Sequence, residues 1–197
     1  MSGWLKKRRV RHRYDLTAEM YDIRYAEEQE DKIRAAMRNI KAKQLGLVLD
    51  AGCGTGILFS HVAQKAGTLV GLDISKKTLL KAKRRAVNGE INVHLVQADV
   101  DNMPFRDNVY NHVFAITVLQ NTPDRDKTLR EIKRVGKKDS VFIVTGLKRI
   151  FTKPVFKGTL TRADMKVEAI ENSHLKCYVA VCTNSHSPVS DICDPAT

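Results

Sequence analysis

The sequence predicts an α/β fold, a doubly wound and mostly parallel sheet with helices on both faces and an antiparallel pair at its C-terminal edge. Apolar runs of strand length alternate with amphipathic segments of helix length, with no internal repeat and no long Pro, Gly or Ser linker. The apolar runs are continuous rather than alternating, the pattern of strands covered on both faces. A bare stretch, "LDAGCGTG" at 49–56, follows the first such run directly, where a parallel sheet places its ligand-binding loop.

Residues 1–13 contain Lys6, Lys7, Arg8, Arg9, Arg11 and Arg13 and no acid, and are expected to form a basic arm before the domain. The first helix is expected from Thr17, as N-cap, to about Lys43, because Ile33, Met37 and Ile40 recur at helical spacing. "LGLVLDA" then reads as the first strand, and "ILFSHVAQKAG" as a helix closing at Gly67. "TLVGLDI" reads as a second strand, "SKKTLLKAKRRAVNG" as a helix capped by Ser75, and "NVHLVQADV" as a third strand. "HVFAITVL" and "SVFIVTGL" follow as strands. Between them "DRDKTLREIKRVG" sets Leu129, Ile132 and Val135 on one apolar stripe. "KPVFKGTLTRAD" is expected as a helix, and "MKVEAIEN" and "HLKCYVAVC" as the edge pair, joined by a turn at Asn172 to His174. The domain is thus expected over 14–183, with an acidic polar tail at 184–197.

A chain of 197 residues suits one domain of ordinary size, and 43% hydrophobic with 28% charged residues is a globular composition. No apolar run reaches the roughly 20 residues of a membrane-spanning helix, and no apolar h-region follows the basic N-terminus. The expected location is cytoplasmic. Four cysteines fall in no paired spacing and are expected as thiols. His174, Cys177, Cys182 and His186 are residue types that can ligate a metal. Cys177 and Cys182 lie five apart in an expected strand and should face opposite sides, so no metal site is expected. The net charge of +12 is concentrated in the arm and in "KAKRRAV". Such cations suit a polyanion such as RNA, or simply a solvated terminus.

Gly52, Gly54 and Gly56 allow positive φ and close approach of a ligand to backbone amides. A dinucleotide fingerprint needs Gly or Ala as its third element, whereas Ile57 or Phe59 stands there, and no Gly-Lys-Ser/Thr of a phosphate loop follows. Asp50 beside the loop would repel a pyrophosphate and suits an ammonium or sulfonium. Asp73, at the end of strand two, is placed to accept both hydroxyls of a ribose. Asp99, at the end of strand three, is placed to accept an adenine amine, with Ile74 packed on the ring. A lone aspartate at a strand end is usually a turn residue, but three at successive ends are harder to dismiss.

In order, "VLDAGCGTG", "VGLDIS", "QADVDNMPFRDNVYNHVFAITVLQNTPD" and "TLREIKRV" resemble the motifs of class I S-adenosylmethionine-dependent methyltransferases, especially the small type 11 group, whose sheet is Rossmann-like. The resemblance covers roughly residues 14–183. It implies S-adenosyl-L-methionine as cofactor, with Asp50, Gly52, Gly54 and Gly56 holding the methionine part, Asp73 the ribose, and Asp99 with Val100 the adenine. Tyr14 and Tyr21 resemble the family's aromatic cap over the cofactor, and plain helix packing is the alternative. Thr117, Gln120 and Asn121, after strand four, are best placed to position the acceptor, with Thr117 also beside the cofactor. Many relatives carry a histidine where Asn121 stands, and an amide is no general base near neutral pH. Capping the turn before Pro123 is the alternative role for Asn121.

Neither the Asn/Asp-Pro-Pro-aromatic signature nor a Pro-Cys follows strand four, which argues against amino methylation of bases or glutamine and against 5-methylcytosine. An RNA acceptor, tRNA included, or an RNA-associated protein is favoured by the basic segments. A small-molecule acceptor and a non-catalytic cofactor-binding partner subunit are the alternatives.

Overall fold

The structure, a computed structural model, describes residues 3–171 and 174–185. Seven strands form one sheet: β1 (Gly46–Ala51), β2 (Ala66–Asp73), β3 (His94–Gln97), β4 (Tyr110–Ala115), β5 (Gly136–Leu147), β6 (Met165–Glu171) and β7 (Cys177–Asn184). Their order is β3-β2-β1-β4-β5-β7-β6. Every pairing from β3 to β5 is parallel, and β7 runs antiparallel to both β5 and β6. The expected Rossmann-like architecture is therefore the observed one, with the antiparallel pair at the C-terminal edge.

Helices α1 (Gly3–Arg38), α2 (Phe59–Val62) and α3 (Lys76–Asn88) cover one face, where Ile33, Phe59 and Leu79 join one core. Helices α4 (Arg125–Val135) and α5 (Lys153–Arg162) cover the other, through Leu129, Ile132, Phe156 and Leu160. The stripe Leu129, Ile132 and Val135 is fully buried, and each such side chain contributes about 1.5–3 kcal/mol. Ser75, as expected, caps α3 by accepting the Thr78 N–H at 3.2 Å.

Four expectations need correction. The basic segment is not an arm ahead of the first helix but its first turns, because Lys and Arg are good helix formers and no proline or internal glycine interrupts them. Thr17 is accordingly no N-cap; its hydroxyl donates to the Arg13 carbonyl one turn back, within the helix. The helix ends at Arg38, short of Lys43, and Leu45 N–H already bonds the Lys65 carbonyl at 2.7 Å. The second helix shrinks to one turn because Ala66 and Gly67 are drawn into β2, which begins opposite Gly46.

Cys177 lies on the α1 side beside Lys32, while Cys182 joins the opposite core, in accord with the parity argument. Residues 172 and 173 of the expected turn, His186, Cys193 and the rest of the tail from 186 lie outside the described residues.

Candidate functional site

The strand order reverses between β1 and β4, so the carboxyl end of β1 opens onto the crevice where such sheets bind ligands. The loop leaving β1 is folded back onto β2, with the Gly52 and Cys53 amides both donating to the Leu72 carbonyl at 2.7 and 2.9 Å. Gly52 (φ +81°) has no space for a side chain, since a Cβ would lie 2.6 Å from Val118. Gly54 (φ +55°) is the opposite case: nothing lies within 4 Å of its Cβ position, and that open side is cavity. Gly56 sits behind the loop against the Phe59 ring and lines neither of the cavities that Gly52 and Gly54 share.

Three carboxylates follow from the ends of successive strands. Asp50 is 3% exposed. No group among the described residues donates to its carboxylate, and burial, reinforced by the charge of Asp73, pushes its pKa up to about 8. Asp73 accepts the Gly54 N–H at 2.9 Å and the Ser75 N–H at 2.8 Å; burial still raises its pKa, against these bonds. Asp99 lies just past β3, in a bridge with Asn102, and takes the Asp101 N–H at 3.0 Å.

α1 spans the open side of this crevice. Asp15 accepts the Ser75 hydroxyl at 2.6 Å, Asp22 accepts Arg85 at 2.8 Å and the Thr55 hydroxyl at 2.6 Å, and Lys81 donates to the Ala18 and Glu19 carbonyls. These bonds tie α1 to the loop and to α3. Its inward face then presents Tyr14, Tyr21 and Tyr25, ring to ring at 5.8 and 5.1 Å. The Tyr14 hydroxyl accepts from Asn121 at 3.0 Å, and burial raises the pKa of both Tyr14 and Tyr21.

Lys7, from the supposed arm, reaches Asp99 at 2.5 Å and Asp101 at 2.6 Å, and Lys6 donates to the Thr122 carbonyl. Burial disfavours the Lys7 charge, but the two carboxylates outweigh it and its pKa rises. Asp99 is thus not an open acceptor, because Lys7 already holds it. The sequence reading did not single out Lys7. The available signal was helical spacing, as Lys7, Tyr14, Ala18 and Tyr21 fall on one face of an uninterrupted helix.

Two cavities meet here. The first, about 670 Å³, is lined by Tyr14, Tyr21, Gly52, Gly54, Asp73, Ile74, Asp99, Val100, Thr117 and Asn121 together with Lys7. Asp50 lies deeper, in a recess of about 370 Å³ behind Gly52 and Gly54. The second, about 1640 Å³, lies on the far side of Thr117 and is lined by Gln120 and by residues of α1 and of the 147–149 and 176 segments. Tyr14, Tyr21, Thr117 and Asn121 line both.

Thr117 is the hinge of the arrangement. It holds φ +65°, an uncommon region for a β-branched residue, with its N–H on the Thr145 hydroxyl at 2.7 Å. Its own hydroxyl donates to Gln29 and accepts from the buried Lys32. Asn121 bonds the Thr117 carbonyl and accepts Arg13 at 2.8 Å, so it is oriented by the site. The Gln120 side-chain oxygen is buried with no hydrogen-bond partner among the described residues.

A crevice at the switch point, a glycine loop open to it and carboxylates at three strand ends define a Rossmann-like nucleoside-binding domain. Residues 49–144 match the family model described as a methyltransferase domain, of type 11. The chain thus carries a methyltransferase domain of the type 11 group in the fold of class I S-adenosylmethionine-dependent methyltransferases. Demethylmenaquinone methyltransferase of Staphylococcus saprophyticus is 32% identical over 127 residues, 63% of this chain and 54% of that protein. The ubiquinone/menaquinone biosynthesis C-methyltransferase UbiE of Vibrio vulnificus is 35% identical over 114 residues, 55% of this chain and 42% of that protein. The chain therefore spans about half the length of the curated relatives it matches.

Among solved structures, a chain of the complex between the Haloferax volcanii Trm112 methyltransferase activator and the putative methyltransferase has a TM-score of 0.78 at 15% identity, covering 88% of this chain and 98% of that one. Magnesium protoporphyrin IX methyltransferase from Synechocystis, with bound cofactor, gives 0.73 at 18% identity over 91% and 97%. At these identities the likeness establishes the fold. S-adenosyl-L-methionine is the family's cofactor, and the observed donor set fits it: an unpartnered buried carboxylate suits an ammonium, and the open face of Gly54 leaves room for the chain that carries it. Among the described residues no helix is long and apolar enough to cross a membrane.

Proposed function

We propose that the protein transfers a methyl group from S-adenosyl-L-methionine to a small-molecule acceptor held in the larger cavity. The observation that carries this reading is Asp50, a buried carboxylate with no donor among the described residues, in the recess behind a crevice that adjoins a second cavity at Thr117. The cofactor supplies an electrophilic methyl on sulfur. The chain's own part is to bind, to orient and to keep water out.

In this reading Asp50 takes the cofactor's ammonium, while Gly52 and Gly54 let the loop backbone approach and Gly56 shapes the loop from behind. Asp73 would hold the ribose hydroxyls, and Ile74, Asp99 and Val100 would hold the adenine. Tyr14 and Tyr21 close the site from above. Thr117, Gln120 and Asn121 position the acceptor, with the Gln120 oxygen still open to a hydroxyl or N–H of the ligand. Asn121 orients without acting as base. The names of the curated relatives, which modify quinones, support a small acceptor for this chain too.

RNA remains the second reading, supported by exposed Arg8 and Arg11 on α1 and Lys83 and Arg84 on α3. Against it, Lys6, Lys7, Lys81 and Arg85 of the same basic segments are spent on bracing the site. Methyl-labelled cofactor incubated with the protein and fractionated cell extract separates the readings. Label in the small-molecule fraction is expected. Ribonuclease-sensitive label would transfer the assignment to RNA, and label in neither would leave a cofactor-binding partner subunit.

A further inference from the structure

The larger cavity carries a charge pattern that the cofactor does not require. Its described lining includes six cations, Arg13, Arg24, Lys32, Lys148, Arg149 and Lys176, against one carboxylate, Glu28. Lys32 and Lys176 both bond that carboxylate, at 2.7 and 3.0 Å, so Glu28 offsets a single charge and cations outnumber carboxylates in the described lining. The cations are arranged in depth. Arg13, Arg24, Arg149 and Lys176 stand exposed around the mouth, whereas Lys32 lies at the inner end, 1% exposed, against Thr117. Exposed charges are individually weak, but several of one sign around a low-dielectric cleft focus the field into it.

The same lining contains no histidine, and its carboxylate is held ionised by the two lysines, which outweigh its burial and lower its pKa. That paired carboxylate is at most a weak base towards a neutral acceptor with a proton to lose. Deepening the reading given above, we infer that the acceptor is a small organic anion, drawn in by the cationic mouth and methylated as its conjugate base beside Lys32 and Thr117. Its lone pair forms the new bond to the methyl carbon, the pair of the broken S–C bond returns to sulfur, and no proton is left to place. The tyrosine row at Tyr14, Tyr21 and Tyr25 adds a flat apolar side, which suits an aromatic body on the anion.

The test begins with binding. Protein saturated with S-adenosylhomocysteine is titrated with the anionic fluorophore 1-anilinonaphthalene-8-sulfonate and with its uncharged analogue N-phenyl-1-naphthylamine. Preference for the anion by about tenfold is expected, falling to near parity in the double variant Arg149→Glu, Lys176→Glu and at high salt. Affinity for S-adenosylhomocysteine, measured in parallel, should hold in that variant and shows that it is folded. Equal binding of the two probes, or an anion preference that survives the charge reversals, overturns the inference.

A second arm passes a small-molecule extract over a strong anion exchanger before incubation with protein and labelled cofactor. Label arising from the retained fraction is expected, and label arising only from the flow-through overturns the anion assignment while leaving small-molecule methylation intact. Label appearing only in RNA, or nowhere, removes the small-molecule reading itself, and the probe titration then still decides whether the cavity selects anions.

Discussion

The two cavities that meet at Thr117 are built by opposite means. The smaller is made of backbone and short acids at the ends of neighbouring strands: a glycine loop after β1, Asp73 after β2, Asp99 after β3. The larger is made of long cationic side chains from segments remote in sequence, reaching from positions 13–32, 148–149 and 176. The first has its groups fixed by the sheet before any ligand arrives. The second depends on flexible stems converging, so its selectivity rests on summed charge rather than on any one contact. One cavity is specified by geometry and the other by electrostatics.

Removing the central carboxylate gives the largest expected break in this contrast. Asp50→Asn should weaken cofactor binding by about a hundredfold or more, the scale of losing one partner of a buried ion pair, while the anion preference of the larger cavity stays unchanged. Calorimetry on both ligands checks it, and a parallel loss in both would mean that the cavities are one site. Gly54→Val places a branched side chain where nothing lies within 4 Å. The expected loss of cofactor affinity is about tenfold, with a melting point a few degrees lower because φ +55° strains any Cβ.

The elevated pKa of Asp50 yields a sharper test. With its folded value near 8, above that of an ordinary carboxylate, the folded protein holds a proton that the unfolded chain releases. This group therefore opposes folding progressively as pH rises from the carboxylate range towards 8, and the penalty levels off above that. A bound ammonium reverses the preference, so cofactor binding near neutral pH should release up to about one proton, read as heat that changes with the buffer's ionisation enthalpy. Asp50→Asn should abolish that release. The smallest effect is expected for Lys7→Met, which frees Asp99: cofactor binding should tighten by about threefold, consistent with a half-buried ion pair whose partner is needed elsewhere. Weaker binding in that variant would assign Lys7 to holding α1 in place.

What could be read from the sequence follows the same division. Strand ends, the glycine loop and Ser75 are local features, and a continuous apolar run with its flanking acid places them without knowing the rest of the chain. The start of α1 is hard to read because the charge density of residues 3–13 suggests an arm, although nothing there breaks a helix. Lys7 at Asp99 joins residues 92 positions apart, and Lys176 at Glu28 joins residues 148 apart. No spacing rule reaches so far. All three glycines of the loop take positive φ, yet only Gly54 has open space at its Cβ position, Gly52 abutting Val118 and Gly56 the Phe59 ring. Conformation is written in the motif, whereas the direction in which it points depends on Val118 and Phe59.

One helix walls both chambers, and this constrains the order of events in turnover. A displacement of α1 wide enough to let a spent nucleoside escape also unroofs the neighbouring compartment, since Tyr14 and Tyr21 belong to both. Release of the spent nucleoside by this route therefore disturbs a wall of the larger cavity as well, although that cavity keeps an exposed mouth of its own.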